Sequence, residues 1–121
     1  MQLSNFPNEI FRVSLTAGEP GESPRATLTP IPARYNDATI STLSRRRIAK
    51  DKLGKIETIA ESNTLHIVRV WVASREDVED AVRRMHDFLI SRTQKKIDSL
   101  LKLQQGLIQE PIIREREYDN D

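Results

Sequence analysis

One apolar segment limits what this chain can fold into more than any other feature. Between Thr64 and Ala73, apolar side chains occupy both odd and even positions: Leu65, Ile67, Val68, Val70, Trp71 and Val72. Because alternate residues of a strand point to opposite faces, a strand of this composition has both faces covered. The segment therefore predicts a central strand, or one that lies between a helix layer and a partner subunit.

A helical pattern follows this strand directly. Ser74 with Asp77 approximates a capping box, and the acidic Glu76 and Asp77 suit the positive end of the helix dipole. Apolar residues then recur at helical spacing along one stripe: Val78, Val82, Met85, Leu89, Leu100, Leu103 and Leu107. The helical region ends near Gly106 and Pro111.

Polar residues interrupt the middle of that stripe, at Arg92, Thr93 and Lys96. The chain therefore forms either one helix of about 30 residues with a polar middle turn or two helices that meet near Ser91. Ser91 with Gln94 can cap a second helix, which favours a break or bend there.

Shorter extended segments precede the central strand. Phe11, Val13 and Leu15 alternate with polar residues, which predicts a strand with one buried face. A short strand over Ala26–Ile31 lies at an edge or ends there, because Pro30 and Pro32 lack an N–H. Further strands are predicted within residues 38–43 and 56–61, separated by a basic segment.

These patterns predict an α+β fold in which a small antiparallel sheet of four to six short strands carries one long or two C-terminal helices. We expect residues 1–110 to form a single α+β domain and residues 111–121 a charged C-terminal tail. The stripe is too long for short strands to cover, and an uncovered apolar stripe of this length is unusual for a monomer. The sequence therefore predicts a homo-oligomer.

Composition excludes several classes of site. The chain has no cysteine, so disulfides, thiolate metal sites and a cysteine nucleophile are excluded. The net charge of +1 favours no partner class by itself. We expect no signal peptide and, without an apolar run of about 20 residues, no membrane partner, which makes a cytoplasmic location the default.

No pattern typical of catalysis stands out. His66 and His86 lack the spacing of metal ligands, and the carboxylates of Glu76 and Asp80 are explained by a helix start. Four glycines form no phosphate-binding loop of a known kind. The sequence therefore predicts no enzyme activity, no metal and no cofactor.

The most informative stretch for binding is the segment from Arg45 to Lys55, in which six of eleven residues are basic and one is acidic. Arginine forks suit phosphate groups because they donate two parallel hydrogen bonds. If the segment is extended, Arg46 and two lysines share a face with Ile48. The candidate ligand-binding residues are Arg45, Arg46, Arg47, Lys50 and Lys52.

Three interpretations of this segment stay open. It can bind a phosphate-bearing small molecule, RNA or DNA; it can bind an acidic protein surface; or it can be a solvated edge strand whose charges prevent aggregation. No aromatic residue lies inside it, which counts against a single-strand binder that stacks bases. Arg69 is a further candidate ligand-binding residue, although an ion pair with a carboxylate such as Glu57 or Glu61 is the favoured explanation of this charge in an apolar strand.

The order of these elements, with Arg47-Ile48-x-Lys50-x-x-Leu53-Gly54-Lys55 as the local match, resembles the anti-Thoeris family of phage anti-defence proteins. The resemblance extends in outline over residues 10 to 105. It implies a viral, oligomeric protein that sequesters a nucleotide signalling molecule without turning it over. We thus expect a non-catalytic binding protein for a phosphate-bearing ligand, with a protein-interaction module or inhibitor of a host complex, or a nucleic-acid-binding accessory protein, as alternatives.

Overall fold

A computed structural model describes residues 5–18 and 21–118. It has the predicted α+β fold: one six-stranded antiparallel sheet and one long helix. The strands are β1 (Asn8–Ala17), β2 (Arg25–Tyr35), β3 (Thr39–Thr42), β4 (Arg47–Ala49), β5 (Glu57–Glu61) and β6 (His66–Val72), and the helix is α1 (Val78–Ile108). Two 3-10 turns, Lys50–Lys52 and Arg75–Asp77, follow β4 and β6.

The sheet is curled, and its topology explains why. The strand order is β4-β3-β2-β1-β6-β5, so the two edge strands follow each other in the chain. Residues 50–56 alone connect them, and part of this connection is a compact 3-10 turn. In a flat sheet the two edges would lie five strand spacings apart, about 24 Å, which is more than such a connection spans. The edges must therefore approach each other.

The first face of the sheet packs against the beginning of α1. Phe11, Val13 and Leu15 of β1 are buried there, as the alternation in the sequence predicted. The cluster is completed by Val68, Val70 and Val72 from β6 and by Ala81, Met85 and Leu89 from α1.

The second face is covered by the curl of the sheet itself. Ile10, Ala33, Ile40, Ile48 and Trp71 form a buried cluster whose members come from five different strands. The strand β6 pairs with β1 on one side and β5 on the other. The prediction of a central strand with both faces covered is therefore confirmed.

The prediction that the second strand ends at Ile31 is wrong, because β2 continues to Tyr35. The prolines are tolerated because the β2–β3 ladder begins only at Ala33, and beside residues 25–32 that side needs no proline N–H: Leu43 N donates to the Pro32 carbonyl oxygen there at 2.9 Å. A residue without an N–H fits the open side of a strand. This section of β2 is thus the local edge that Pro30 and Pro32 predicted.

The prediction that the helix breaks near Ser91 is also wrong, since α1 runs without interruption over 31 residues. Gln94, the expected partner in a second cap, donates a hydrogen bond from Nε2 to Oδ1 of Asp98 at 3.0 Å instead. That contact between residues four apart belongs to the middle of a helix. The alternative of one helix with a polar middle turn is the one observed.

The chain divides into two compact units, the first ending at Leu89 and the second beginning at Ile90. From 109 to 118 the chain has no helix or strand and every side chain is exposed. Residues 119–121 of the predicted tail and the four residues at the N-terminus lie outside the described part. No helix within that part is both long enough and apolar enough to cross a membrane.

Candidate anion-binding site

Trp71 is the centre of a cluster of cationic side chains on the second face of the sheet. Its ring is 2% exposed. The guanidinium carbon of Arg46 lies 5.4 Å from the ring centroid and that of Arg69 lies 5.3 Å from it. Both distances are within the range of about 6 Å over which a cation is attracted to an aromatic face. Arg46, Arg69 and Trp71 are called the Trp71 cluster below.

A tight turn between β3 and β4 presents Arg46 to this ring. The buried Thr42 Oγ1 accepts a hydrogen bond from the Arg46 backbone N at 3.1 Å and lies 3.2 Å from the Arg46 carbonyl oxygen. The Thr42 backbone N also donates to that oxygen at 2.9 Å. Arg45 has a φ of 65°, the left-handed conformation that tight turns need. The backbone of Arg46 is therefore fixed before its side chain reaches the ring.

Arg69 reaches the same ring from β6, where it is paired across the strands with Glu57. Its Nη2 lies 3.7 Å from Oε2 of Glu57, with side-chain exposures of 14% and 32%. The interpretation that Arg69 forms an ion pair with Glu57 or Glu61 is confirmed for Glu57. The distance is too long for a direct hydrogen bond. The Nε of Arg69 is buried and has no hydrogen-bond partner among the described residues.

Hydroxyl groups and a third arginine extend this face towards β1 and β2. In the register of β1 and β6, Arg12 lies opposite Trp71 and Ser14 lies opposite Arg69. On the next strand, Thr29 lies opposite Arg12 and Thr27 opposite Ser14. Directly opposed residues share one face of a sheet, so Arg12 and these hydroxyls belong to the same surface as the Trp71 cluster. The guanidinium groups of Arg12, Arg46 and Arg69 and the carboxylate of Glu57 thus lie on this face.

The structure brings two of the six sequence-predicted residues together, Arg46 and Arg69. The condition that the basic segment is extended is met only by Arg47–Ala49, because the chain then enters the 3-10 turn Lys50–Lys52. Arg47 precedes the buried Ile48 on β4 and therefore points to the opposite face. A ligand-binding role for Arg45, Arg47, Lys50 and Lys52 stays a prediction.

Sequence reasoning missed Arg12, Ser14 and the role of Trp71. The alternation in the first strand did place Arg12 and Ser14 on the face opposite Phe11, Val13 and Leu15. What the sequence did not reveal was the pairing register, which decides that this face adjoins Arg69 and Trp71. Local sequence patterns could not predict the contact between Arg46 and Trp71, because 24 residues separate them in the chain.

The described residues also form a cleft that differs from the Trp71 cluster in its charge. A cleft of about 510 Å³ is lined by Asn8, Glu9, Phe11, Tyr35, Ala73, Ser74 and Arg75, and its one basic and one acidic residue give it no excess charge. His86 is exposed on α1 and His66 is half-buried at the start of β6. Among residues 5–18 and 21–118, no three histidine or carboxylate side chains are grouped as metal ligands.

Comparison with known proteins gives no relative from which a function can be transferred. No family model matches the chain, no curated protein matches it, and no solved structure matches it. The function must therefore be inferred from the residues of this chain alone.

Proposed function

We propose that this protein is a non-catalytic binding protein that holds a phosphate-bearing anion at the Trp71 cluster. The observation that carries the proposal is the buried Nε–H of Arg69, which donates to no protein atom described. A buried donor without an acceptor destabilises a fold by about 1–3 kcal/mol. A phosphate oxygen at this place would accept that hydrogen bond.

The charges around Arg69 support an anionic ligand. Two guanidinium groups on one ring repel each other, and the ion pair with Glu57 involves Arg69. Arg12 adds a third positive charge on the same face. A bound anion would offset this excess, and each charge-assisted hydrogen bond contributes about 1.5–3 kcal/mol.

The chemistry on this surface supports binding without turnover. The half-buried Ser14 has no histidine or carboxylate opposite it in the register; its neighbours there are Arg69 and Thr27. A nucleophilic hydroxyl needs a base within hydrogen-bond reach. We therefore assign no catalytic residue and no cofactor, and a cytoplasmic location belongs to the same proposal.

The resemblance to the anti-Thoeris family remains part of this proposal. Its local match begins at Arg47, directly after the arginine that contacts Trp71. If the resemblance holds, the phosphate-bearing ligand is a cyclic nucleotide that serves as a signal, and the protein removes it by binding.

A nucleic-acid partner is less well supported than a small anion. Single-strand binders stack bases on open aromatic faces. Here Trp71 and Phe11 are buried, and Phe6, Tyr35 and Phe88 are half-buried; Tyr118 is exposed but belongs to the C-terminal segment without helix or strand. A protein partner is the second candidate, because large apolar side chains are exposed in the second half of α1.

Trp71 provides a direct test, since it is the single tryptophan of the chain. The full chain is titrated with inorganic pyrophosphate, linear nucleotides, cyclic nucleotides and a single-stranded oligonucleotide, and Trp71 emission and binding heat are recorded. We expect saturable binding of one phosphate-bearing class. Arg69→Gln and Arg46→Gln should each weaken it roughly 10- to 100-fold, the loss of one or two charge-assisted hydrogen bonds.

Two further variants make this test specific. Arg47→Gln removes the same charge from the opposite face of the sheet. Because solvent and salt screen the charge of an exposed side chain, this variant should change anion affinity by less than about threefold. Arg69→Lys keeps the charge but not the planar fork, so we expect it to bind weakly. Two outcomes would contradict the proposal. One is an equal loss of anion affinity in Arg46→Gln, Arg47→Gln and Arg69→Gln, and the other is no binding by the wild type at millimolar ligand.

A further inference from the structure

The second half of α1 exposes a continuous set of large apolar side chains. Within the second unit, six of them lie between residues 97 and 108 and are 45–79% exposed: Ile97, Leu100, Leu101, Leu103, Leu107 and Ile108. We call these six residues the apolar block. At about 100° per residue they cover one side of the helix, and Asp98, Ser99 and Lys102 lie on the other.

The spacing within the block is typical of helix pairing. Leu100 and Leu107 are seven residues apart, as are Leu101 and Ile108, and Ile90 stands seven residues before Ile97. A repeat of seven keeps one side of a helix facing a partner helix. The two positions near the middle of this face that are not apolar, Thr93 and Gln104, carry no charge.

A helix with this surface needs a partner to be stable. Most helical stability in proteins comes from packing an amphipathic face rather than from the helix propensity of the residues. The exposed Gly106 lowers stability further, by about 1 kcal/mol relative to alanine. Exposed apolar surface of this extent marks an interaction site.

The distribution of charge indicates which partner. Residues 90–96 contain Arg92, Lys95 and Lys96 and no acidic residue. At the other end, the last turn of α1 has no basic residue, and Glu110 follows it. The C-terminus of a helix carries a partial negative charge. One end of this segment is therefore positive and the other negative.

We propose that the apolar block packs antiparallel against the apolar block of a second copy of this chain. When the two blocks overlap in full, Ile97 of one copy lies beside Ile108 of the other. The turn with Lys95 and Lys96 then lies beside residues 109 and 110 of the other copy, where Glu110 and the helix C-terminus attract it. A parallel pair would place the three basic residues of one copy beside those of the other.

This inference is independent of the anion site, and sedimentation of the full chain tests it. We expect a mass at least twice the chain mass of 13.9 kDa at micromolar concentration. The double variant Leu100→Lys/Leu107→Lys should raise the dimer dissociation constant at least tenfold. Ser99→Lys/Gln105→Lys adds the same charge on the other side of the helix and should leave the mass unchanged.

The Trp71 emission spectrum shows whether the first unit of each variant is folded. A wild-type mass of one chain at about 100 μM would overturn the proposal. At that concentration even a weak dimer with a Kd of about 100 μM is half formed. A monomer that binds anionic lipid vesicles would assign the block to a membrane surface instead. Arg69→Gln should leave the mass unchanged, which separates this result from the anion test.

Cysteine cross-linking tests the orientation, since the chain has no cysteine of its own. Protein with Ile97→Cys, mixed with protein with Ile108→Cys and oxidised, should form the mixed disulfide. Neither variant should cross-link to itself, whereas a parallel pair would give self-linked Ile97→Cys dimers. Ser99→Cys, on the outer side of the helix, is the control for random collision.

Discussion

At the scale of single residues, the geometry of Arg69 is the basis of its proposed binding role. Its Nη2 faces Glu57 at 3.7 Å, while its guanidinium lies on Trp71 and its Nε remains without an acceptor. An arginine that served only to pair with Glu57 would gain more from a direct, two-bond contact. The observed geometry leaves the Nε–H of the Arg69 guanidinium available to donate to another anion.

Thr42 is the residue that positions Arg46, and its replacement should have two effects. Thr42→Val keeps the side-chain volume but removes the acceptor of the Arg46 N–H, so we expect a loss of about 1–3 kcal/mol in the free energy of unfolding. Anion affinity should fall as well, because the turn no longer fixes Arg46. Denaturant unfolding and Trp71 titration measure the two quantities.

The control for this prediction is Thr39→Val, on the same strand but outside the turn. It should change neither quantity by a comparable amount. If Thr42→Val lowered stability and left anion affinity unchanged, Thr42 would support the fold without positioning Arg46.

Tyr35 gives the chain a sensitivity to high pH. Burial raises the pKa of Tyr35 above its ordinary value of 10.0, and its hydroxyl donates to the carbonyl oxygen of Glu9 at 2.9 Å. The unfolded chain therefore loses this proton first. Stability is complete below pH 10.0 and declines as the pH rises through the higher pKa of the folded state.

We therefore expect the free energy of unfolding to decline above pH 10.0 in the wild type and to decline less in Tyr35→Phe. At neutral pH, Tyr35→Phe should lose about 0.5–1.5 kcal/mol with its hydrogen bond. Denaturant unfolding across the alkaline range measures both effects. Tyr118→Phe, at an exposed position, should follow the wild type, and identical profiles for all three proteins would disprove the role of Tyr35.

At the scale of elements, α1 has two halves with different surroundings. In the first half Met85 is fully buried against β1 and β6. We expect Met85→Ala to reduce the free energy of unfolding by about 2–5 kcal/mol, because it leaves a cavity. His86→Ala, at the neighbouring exposed position, should change it by less than about 0.5 kcal/mol. Similar values for the two variants would mean that α1 contributes little to the core.

The second strand shows how an element depends on its neighbours. Pro30 and Pro32 disfavour a strand inside a sheet, yet β2 extends past both of them. The two prolines correctly indicated that one side of this strand has no neighbouring strand that needs their missing N–H groups. The sequence did not contain the length of β3, which pairs with three residues of β2 and so leaves that side open.

At the scale of the whole molecule, the curl of the sheet decides where the candidate site forms. In strand order, β4 lies four positions from β6, about 19 Å in a flat sheet. The guanidinium of Arg46, one residue before β4, nevertheless lies 5.4 Å from the ring of Trp71 on β6. Curling thus buries the second cluster and brings two arginines from distant parts of the chain onto one ring.

The sequence by itself determined the elements whose patterns are local. The alternation at Phe11, Val13 and Leu15, the apolar residues of β6 on both faces and the stripe through Met85 and Leu89 each follow from the period of a strand or a helix. They were sufficient for the α+β fold, the antiparallel sheet and the long helical region. They also identified Arg46 and Arg69 as candidates, through local basic density and through a charge in an apolar strand.

Only the tertiary structure decided what those residues meet. The pairing of Arg69 with Glu57 was foreseen as one of two options, but the register that sets Arg12 and Ser14 beside Trp71 and Arg69 was not. Strand register, sheet curl and the continuity of α1 through Ser91 depend on contacts between residues far apart in the chain. Periodicity reports which face of an element is apolar, and it carries no information about which other element covers that face.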